Sequence, residues 1–300
     1  YRDRLTLYFN LTYPREKRNN PPAAFDKSFL FPALPRLQTP DDLSIFFDHT
    51  DSSARIVGGS QAPEGSVPYM VAMSQGLLIR SFMCGGSVIG PRHVLTAAHC
   101  IEAAFSFGSL ATSLRVTVGT NRWNLGGQTY ALERNVTHQH YVSNVIKNDI
   151  GLLVTTTDIV FSSTVRPVAL AFDEAGAGVA ARVAGWGRIR AGGAISTVLL
   201  ELYTETIDNQ LCVDEAAKAA IEWKELYNTD APPVDPVLEI CTFHSEGHGN
   251  CNGDSGSALV RTDTQQQIGI VSWGFPCAVG APDMFVRVSA YRHWIFENAV

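Results

Sequence analysis

Short apolar or alternating runs recur along the chain from Ile56 onward, and Gly, Pro, Asn and Asp residues separate them. Strand-length runs punctuated by turn residues are typical of an antiparallel barrel or sandwich, so the pattern predicts an all-β protein. The predicted strands are Tyr69–Met73, Ser87–Ile89, Arg115–Gly119, Ile150–Thr155, Ala180–Ala184, Ala258–Val260, Ile268–Trp273 and Met284–Val288. Two stretches predict helices instead: Asp214–Tyr227, which is rich in Ala, Glu and Lys, and Ser289–Ala299, whose first residue is a candidate N-cap.

The first 55 residues differ in composition from the rest of the chain. They contain no glycine and no cysteine, and they hold six of the 15 prolines. This density of proline argues against long helices and central strands, while the many Leu and Phe side chains argue against simple disorder. We therefore predict an extended pro-segment over residues 1–55 that packs against another surface, followed by a domain over residues 56–300. A flexible tail is the alternative interpretation.

The charge and the cysteines restrict the function classes. A formal net charge of -6 argues against a broad basic face for nucleic acid, and no apolar run is long enough to predict a membrane span. None of the six cysteines forms a CxxC or CxxH pair, so a structural zinc site is not expected, and spacing alone does not choose among 15 disulfide pairings. Two glycosylation sequons, at Asn10 and Asn135, together with paired cysteines indicate a secreted, extracellular glycoprotein.

Three short strings carry candidate chemistry. Glycines flank Ser255 in the string GDSGS, which allows a tight turn and lets backbone N–H groups converge as an oxyanion site requires. His99 ends the apolar run LTAAH, and Asp149 opens the strand-like run DIGLL. Each string alone is also compatible with a structural role: a plain turn, a structural histidine or a solvated aspartate.

Taken together, and in the order His99, Asp149, Ser255, these strings resemble the chymotrypsin-like (trypsin-like) serine protease family. The resemblance covers about residues 56–300 and implies two six-stranded antiparallel β-barrels with the site between them, in addition to the C-terminal helix. Further matching strings are Arg55–Gly59 (RIVGG), Cys84–Ser87 (CGGS), Ala184–Gly187 (AGWG), Ser272–Gly274 (SWG) and Pro282–Phe285 (PDMF).

The resemblance implies the catalytic roles. Ser255 is expected to attack the scissile carbonyl, His99 to accept and return the proton, and Asp149 to hold the imidazole. The N–H groups of Gly253 and Ser255 are expected to form the oxyanion hole. Asp158 is a competing acid, but only Asp149 precedes the matching apolar run.

The same resemblance implies the cofactor requirement and the disulfide pairing. No cofactor or metal is expected, and the region of the family's calcium loop, about residues 119–130, contains no carboxylate. No cysteine precedes residue 56, so no disulfide would retain the pro-segment after cleavage. The implied disulfides are Cys84–Cys100, Cys212–Cys241 and Cys251–Cys277.

Activation is expected at the bond between Arg55 and Ile56, by a trypsin-like activating protease. The new α-amino group of Ile56 would pair with Asp254 and order the oxyanion loop, so the uncut chain is expected to be latent. Some zymogens of the family hold this aspartate with a histidine two residues before the first of these cysteines, but here that position is Phe82. The restraint must therefore differ, and the pro-segment is one candidate for it.

The specificity pocket departs from the trypsin pattern. Its floor position is Gly249 rather than Asp, and Asp283 stands in the opposite wall where many members have glycine. This combination resembles the crab collagenases (brachyurins), which accept both basic and large apolar residues. The alternative is that Asp283 is a turn residue pointing away. The implied pocket residues are Gly249, Asn250, Ser272, Trp273, Gly274 and Asp283.

The sequence therefore predicts a secreted serine endopeptidase zymogen of chymotrypsin-like or broad specificity. Its expected partners are protein or peptide substrates, the activating protease and protein inhibitors, without nucleic acid or membrane. A protease-fold binding protein without catalysis is the alternative, although such homologues usually lose a triad residue and all three are present here.

Overall fold

A computed structural model describes residues 58–106, 108–188, 193–275 and 277–299. The predicted pro-segment, Arg55, Ile56 and Asn10 lie outside these ranges. Within the described ranges the strands are β1 (Ser60–Gln61), β2 (Met70–Gln75), β3 (Ser81–Val88), β4 (His93–Thr96), β5 (Phe105–Ser106), β6 (Ser109–Leu110), β7 (Arg115–Val118), β8 (Gln128–Thr137), β9 (Gly151–Thr155), β10 (Ala169–Leu170), β11 (Ala180–Gly185), β12 (Leu200–Thr206), β13 (Glu239–Phe243), β14 (Ala258–Arg261), β15 (Gln266–Gly274) and β16 (Asp283–Arg287). The helices are α1 (Ala98–Glu102), α2 (Asn209–Tyr227) and α3 (Arg292–Asn298).

The first barrel closes in the order β2-β3-β4-β9-β8-β7, and all of its pairings are antiparallel. Apolar side chains from its strands fill the interior, among them Val71, Met73, Leu95, Val116 and Leu152, all of which are buried. Because a closed barrel leaves no free strand edge, every strand has a hydrogen-bonded neighbour on both sides.

The second barrel follows the order β12-β11-β14-β15-β16-β13 and closes where β13 pairs with β12. β1 extends the free part of the β12 edge, and the two-residue strand β10 lies parallel to β15 outside the ring. The predicted all-β class with two six-stranded antiparallel barrels is therefore confirmed. All eight predicted strands overlap strands of the structure.

Both predicted helices exist, but their first residues differ from the prediction. α2 begins at Asn209, because the carboxylate of Asp208 accepts hydrogen bonds from the N–H groups of Gln210 and Leu211 and so caps an earlier turn. The predicted cap Ser289 is wrong, since Val288–Tyr291 forms a 3-10 turn and α3 begins at Arg292 without a side-chain cap. Val288 and Tyr291 are buried in the core, which ties this turn to the barrel.

Several contacts join the two barrels. Trp294 and Ile295 of α3 lie in the same buried cluster as the first barrel's apolar side chains, so the C-terminal helix packs back across the domain.

The structure has three disulfides, which join the pairs that the family resemblance implies: Cys84–Cys100, Cys212–Cys241 and Cys251–Cys277. None of the helices in the described residues is both long and apolar enough to cross a membrane.

Candidate active site

Strand register brings His99 and Asp149 together. β4 pairs with β9 so that Thr96 lies opposite Gly151. His99 follows Thr96 at the start of α1, and Asp149 lies two residues before Gly151, the first residue of β9. Nδ1 of His99 lies 2.8 Å from Oδ2 of Asp149, and the backbone N–H of His99 donates to Oδ1 at 2.9 Å. Both side chains are almost completely buried. The carboxylate therefore fixes the position and orientation of the imidazole.

A third donor reaches Asp149 from the other barrel. The hydroxyl of Ser272, on β15, donates to Oδ2 of Asp149 at 2.6 Å. Burial alone would raise the pKa of Asp149, but the charge and hydrogen bonds of His99 and the Ser272 hydroxyl outweigh it, so the pKa lies below its usual value. The competing acid, Asp158, lies instead in a separate groove beside Arg92.

The turn that carries Ser255 depends on the glycines around it. Gly253 and Gly256 both have positive φ, +97° and +79°, which a side chain would disfavour. A Cβ on Gly256 would also lie 2.2 Å from Oγ1 of Thr96 and 2.5 Å from the carbonyl oxygen of Gly85. Glycine is therefore required at position 256 for two reasons: its positive φ, and the lack of room for a side chain.

Ser255 lies at the junction of the barrels. Its carbonyl oxygen accepts a hydrogen bond from the N–H of Gly85 on β3 at 2.8 Å. Its neighbour Gly256 packs against Thr96 and Ala97, which immediately precede α1 and His99. The structure thus brings the Ser255 turn to the segment that presents His99, although the two residues are distant in the sequence.

Asp254 is a fully buried carboxylate whose hydrogen-bond donors, among the described residues, are backbone N–H groups. Its Oδ1 accepts from the N–H of Gly187 at 2.8 Å, and its Oδ2 accepts from the N–H of Cys251 at 3.1 Å. A Cβ on Gly185 or Gly187 would lie within 2.4 Å of an atom of this carboxyl group, so the glycines of the AGWG string make the space that it occupies. Burial raises the pKa of Asp254 to about 7, and the two hydrogen bonds offset only part of that rise.

The candidate pocket contains a second carboxylate with a raised pKa. The Asp283 carboxylate lies 2.9 Å from the position of a Cβ on Gly249 and 3.4 Å from that of a Cβ on Gly274, and it accepts from the N–H of Asn250 at 2.9 Å. Burial of the carboxyl group raises its pKa to about 7. Asn250 is buried, and its side-chain amide has no hydrogen-bond partner within the described residues. The carboxylate thus lies against the pocket floor.

A buried ion pair holds Trp273, one of the predicted pocket residues. Nε1 of Trp273 donates to Oε1 of Glu239 at 2.7 Å, and Nζ of Lys147 donates to both oxygens of Glu239 at 2.9 and 3.0 Å. The Lys147 ammonium also lies 5.4 Å from the centre of the Trp273 ring. The sequence reasoning missed this cluster because nothing in the chain signals that Lys147 and Glu239 meet.

Two further predicted features can be placed. Asn135 is half-buried in β8, where its backbone pairs with Leu153 of β9. Among the described residues, one group has ligand atoms close enough together for a metal: Cys84, His99 and Cys100. The two sulfurs are joined in a disulfide and cannot act as thiolate ligands, so this group does not fit a metal.

The raised pKa of Asp254 predicts that the intact chain loses stability as the pH rises from about 4 to about 7. The folded chain retains a proton that the unfolded chain releases, and a shift of this size corresponds to about 4 kcal/mol. We expect Asp254→Asn to increase the free energy of unfolding at pH 8 by a smaller amount, roughly 1–3 kcal/mol, because the new amide opposes the N–H of Cys251. Denaturant unfolding at pH 4 and pH 8 measures this difference.

At pH 4 the gain should disappear, since Asp254 is then protonated in the folded chain. The matched control is Asp263→Asn, because Asp263 lies at the surface and the guanidinium of Arg261 lowers its pKa to about 2. This control should show no gain at pH 8. An equal effect of Asp254→Asn at both pH values would contradict the assignment.

Comparison with known proteins agrees with this geometry. The family model described as Trypsin matches residues 56–295. Chymotrypsin-2 of Vespa crabro is 37% identical over 244 residues, which cover 81% of this chain and 99% of that protein. Trypsin beta of Drosophila erecta is 32% identical over 247 residues, covering 82% of this chain and 88% of its own.

A solved structure of HL collagenase matches with a TM-score of 0.67 at 28% identity, covering 81% of this chain and 98% of that one. The matches extend over both barrels and the turn that carries Ser255. The chain therefore belongs to the trypsin family of chymotrypsin-like serine proteases.

Proposed function

We propose that this chain is a secreted serine endopeptidase made as a latent zymogen, in which Ser255, His99 and Asp149 form the catalytic triad. The observation that carries the proposal is the buried His99–Asp149 pair, held from both barrels beside the turn of Ser255. Retention of all three residues argues against the alternative of a binding protein without catalysis. The three disulfides, together with the sequons at Asn10 and Asn135, support an oxidising, extracellular setting.

The mechanism follows from the hydrogen bonds. With Nδ1 of His99 held by Asp149, Nε2 acts as the base that takes the proton of Ser255 as its Oγ attacks the peptide carbonyl. The low pKa of Asp149 keeps it ionised to stabilise the imidazolium, which then protonates the leaving amine. A water molecule then attacks the acyl-enzyme, with His99 again taking and returning the proton, and releases the acid product and Ser255. The N–H groups of Gly253 and Ser255 stabilise the oxyanion, and each such donor contributes roughly 3–4 kcal/mol.

The proposed switch uses the buried carboxylate of Asp254. Cleavage after Arg55 by a trypsin-like protease creates the α-amino cation of Ile56, and Asp254 is the acceptor that we assign to it. Two features support this: the carboxylate has only backbone donors among the described residues, and its pKa of about 7 reflects a charge that a cation would stabilise. Pairing would order the neighbouring oxyanion loop.

The pocket supports a broad specificity for the residue before the scissile bond. With no side chain at Gly249, the proposed pocket accepts a large apolar residue, and the Asp283 carboxylate beside Gly249 pairs with Arg or Lys. The buried amide of Asn250, which has no hydrogen-bond partner in the part of the chain that the structure describes, offers a further polar contact. The names of the similar proteins, a chymotrypsin and a collagenase, agree with protein substrates of this kind.

Activation is tested with immobilised trypsin, which is removed before assay. The cut chain should begin at Ile56 and hydrolyse peptides, whereas the uncut chain should be nearly inactive. Ser255→Ala, cut in the same way, should show the same new terminus and at least about 10³-fold lower kcat, because the nucleophile is lost. N-terminal sequencing and peptide assays measure both. Full activity of the uncut chain would refute latency, and activity of cut Ser255→Ala would refute the triad.

The role of Asp283 is tested by comparing kcat/KM for Arg and Phe before the scissile bond. Asp283→Ala should lower the value for Arg by about 100-fold or more and leave that for Phe nearly unchanged, because only the cation needs the carboxylate. In the parent enzyme the Arg/Phe ratio should rise as the pH passes about 7, since Asp283 is protonated below that pH. Asp263→Ala is the surface control. Equal losses on both substrates would mean that Asp283 does not contact the cation.

A further inference from the structure

The turn between β2 and β3 exposes three consecutive large apolar side chains. Leu77 and Ile79 are each 86% exposed and Leu78 is 100% exposed, more than any other large apolar residue in the described part of the chain. Single exposed apolar residues are ordinary, but three adjacent ones at a hairpin tip form a contiguous apolar surface. Exposing such a surface to water costs free energy, so a contiguous apolar surface of this kind marks a site where another segment or molecule binds.

A groove of about 270 Å³ lies beside this tip. Leu78 and Arg80 form one wall, and the loop between β7 and β8 forms the other with Trp123 and Leu125. Leu125 is itself 63% exposed, so the apolar surface continues across the groove. The Trp123 ring packs against the ring of Phe82 at a centroid distance of 5.7 Å, which anchors that wall to the core. We refer to residues 77–80 with 122–126 as the tip groove.

The residues that form the tip groove carry positive charge. Residues 77–80 and 122–126 contain two arginines and no Asp or Glu, whereas the full chain carries a net charge of -6. Arg80 lines the groove and Arg122 is exposed next to Trp123. The surface thus combines apolar contact area with positive charge, which suits a peptide that is both apolar and acidic.

One segment of the chain has this chemistry. Residues 41–51 read DDLSIFFDHTD, with four Asp, no Lys or Arg, and four large apolar residues between the acids. This segment lies outside the described residues. From Phe47 to Gly58, the first described residue, there are eleven residues, which span at most about 40 Å when extended. This length sets the greatest distance from Gly58 at which Phe47 can dock.

We propose that residues 41–51 of the pro-segment dock in the tip groove, with their apolar side chains on Leu77–Ile79 and Leu125 and their carboxylates near Arg80 and Arg122. The docking itself does not depend on peptidase activity. While the chain is intact, the linker keeps the segment at a high effective concentration. No cysteine precedes residue 56, so cleavage after Arg55 makes the contact bimolecular, and dilution then exposes the tip groove.

The experiment is amide hydrogen exchange on the intact full-length chain carrying Ser255→Ala, which removes self-cleavage. We expect residues 43–47 to exchange at least tenfold more slowly than in a synthetic peptide of residues 41–51. The triple variant Leu77→Ser/Leu78→Ser/Ile79→Ser should remove that protection. Ile221→Ser/Val237→Ser, at exposed apolar positions outside the tip groove, is the matched control and should retain it. All of these sites are exposed, and thermal melts check that each variant folds.

Charge provides an independent test. Arg80→Glu/Arg122→Glu should accelerate exchange of residues 43–47, and adding Asp41→Lys/Asp42→Lys to that variant should restore part of the protection. Exchange of residues 43–47 at the peptide rate in the parent chain overturns the proposal, as does protection that the triple variant leaves intact. If sedimentation shows instead a dimer that the triple variant dissociates, a second copy covers the tip and the proposal is wrong. None of these readouts requires catalysis, so their failure is distinguishable from failure of the proposed activity.

Discussion

The buried carboxylate of Asp149 is the point at which the two barrels become one site. Removing a carboxylate from water costs several kcal/mol, and the cost is tolerated only where hydrogen bonds replace the lost hydration. Here the replacement comes from both sides: two donors of His99 in the first barrel and the hydroxyl of Ser272 in the second. Movement of one barrel against the other would leave this charge without one of its donors. The geometry of the proposed catalytic pair therefore depends on how the two barrels dock.

Two other carboxylates, Asp254 and Asp283, differ from Asp149 in the direction in which their surroundings shift the pKa. Within the part of the chain that the structure describes, Asp254 and Asp283 accept from backbone N–H groups alone. Burial raises the pKa of each to about 7, whereas the pKa of Asp149 is lowered. The charge of Asp254 also contributes to the raised pKa of Asp283, so the second barrel holds two interacting buried acids. Ionising these two buried carboxylates costs free energy unless a cation binds beside each of them. In the proposed enzyme they are the new α-amino group and the basic side chain of a substrate.

Local patterns predicted eight of the strands and missed four strands of the barrels: β4, β8, β12 and β13. β8, β12 and β13 carry charged residues that interrupt the apolar run, and β4 has only four residues. The candidate triad was predictable because each of its residues lies in a short string with a local requirement, such as the tight turn at Gly256. Ser272 was predicted only as a pocket residue, since its bond to Asp149 spans 123 positions. Such contacts exist only once the barrels have closed.

The indole of Trp273, at a predicted pocket position, is held from several directions. Glu239 and Lys147 fix the Trp273 indole. The Phe275 ring lies 6.2 Å from Trp273 and 6.1 Å from Trp223 of α2.

α2 itself is capped by Asp208 and tied to β13 by the disulfide Cys212–Cys241. A wall that is packed, capped and cross-linked in this way cannot reshape itself for each substrate without breaking several contacts. In the proposed enzyme, discrimination between side chains would then come from the floor, where Gly249 lies against the ionisable carboxylate of Asp283. That single titrating group would make the preference between basic and apolar side chains depend on pH.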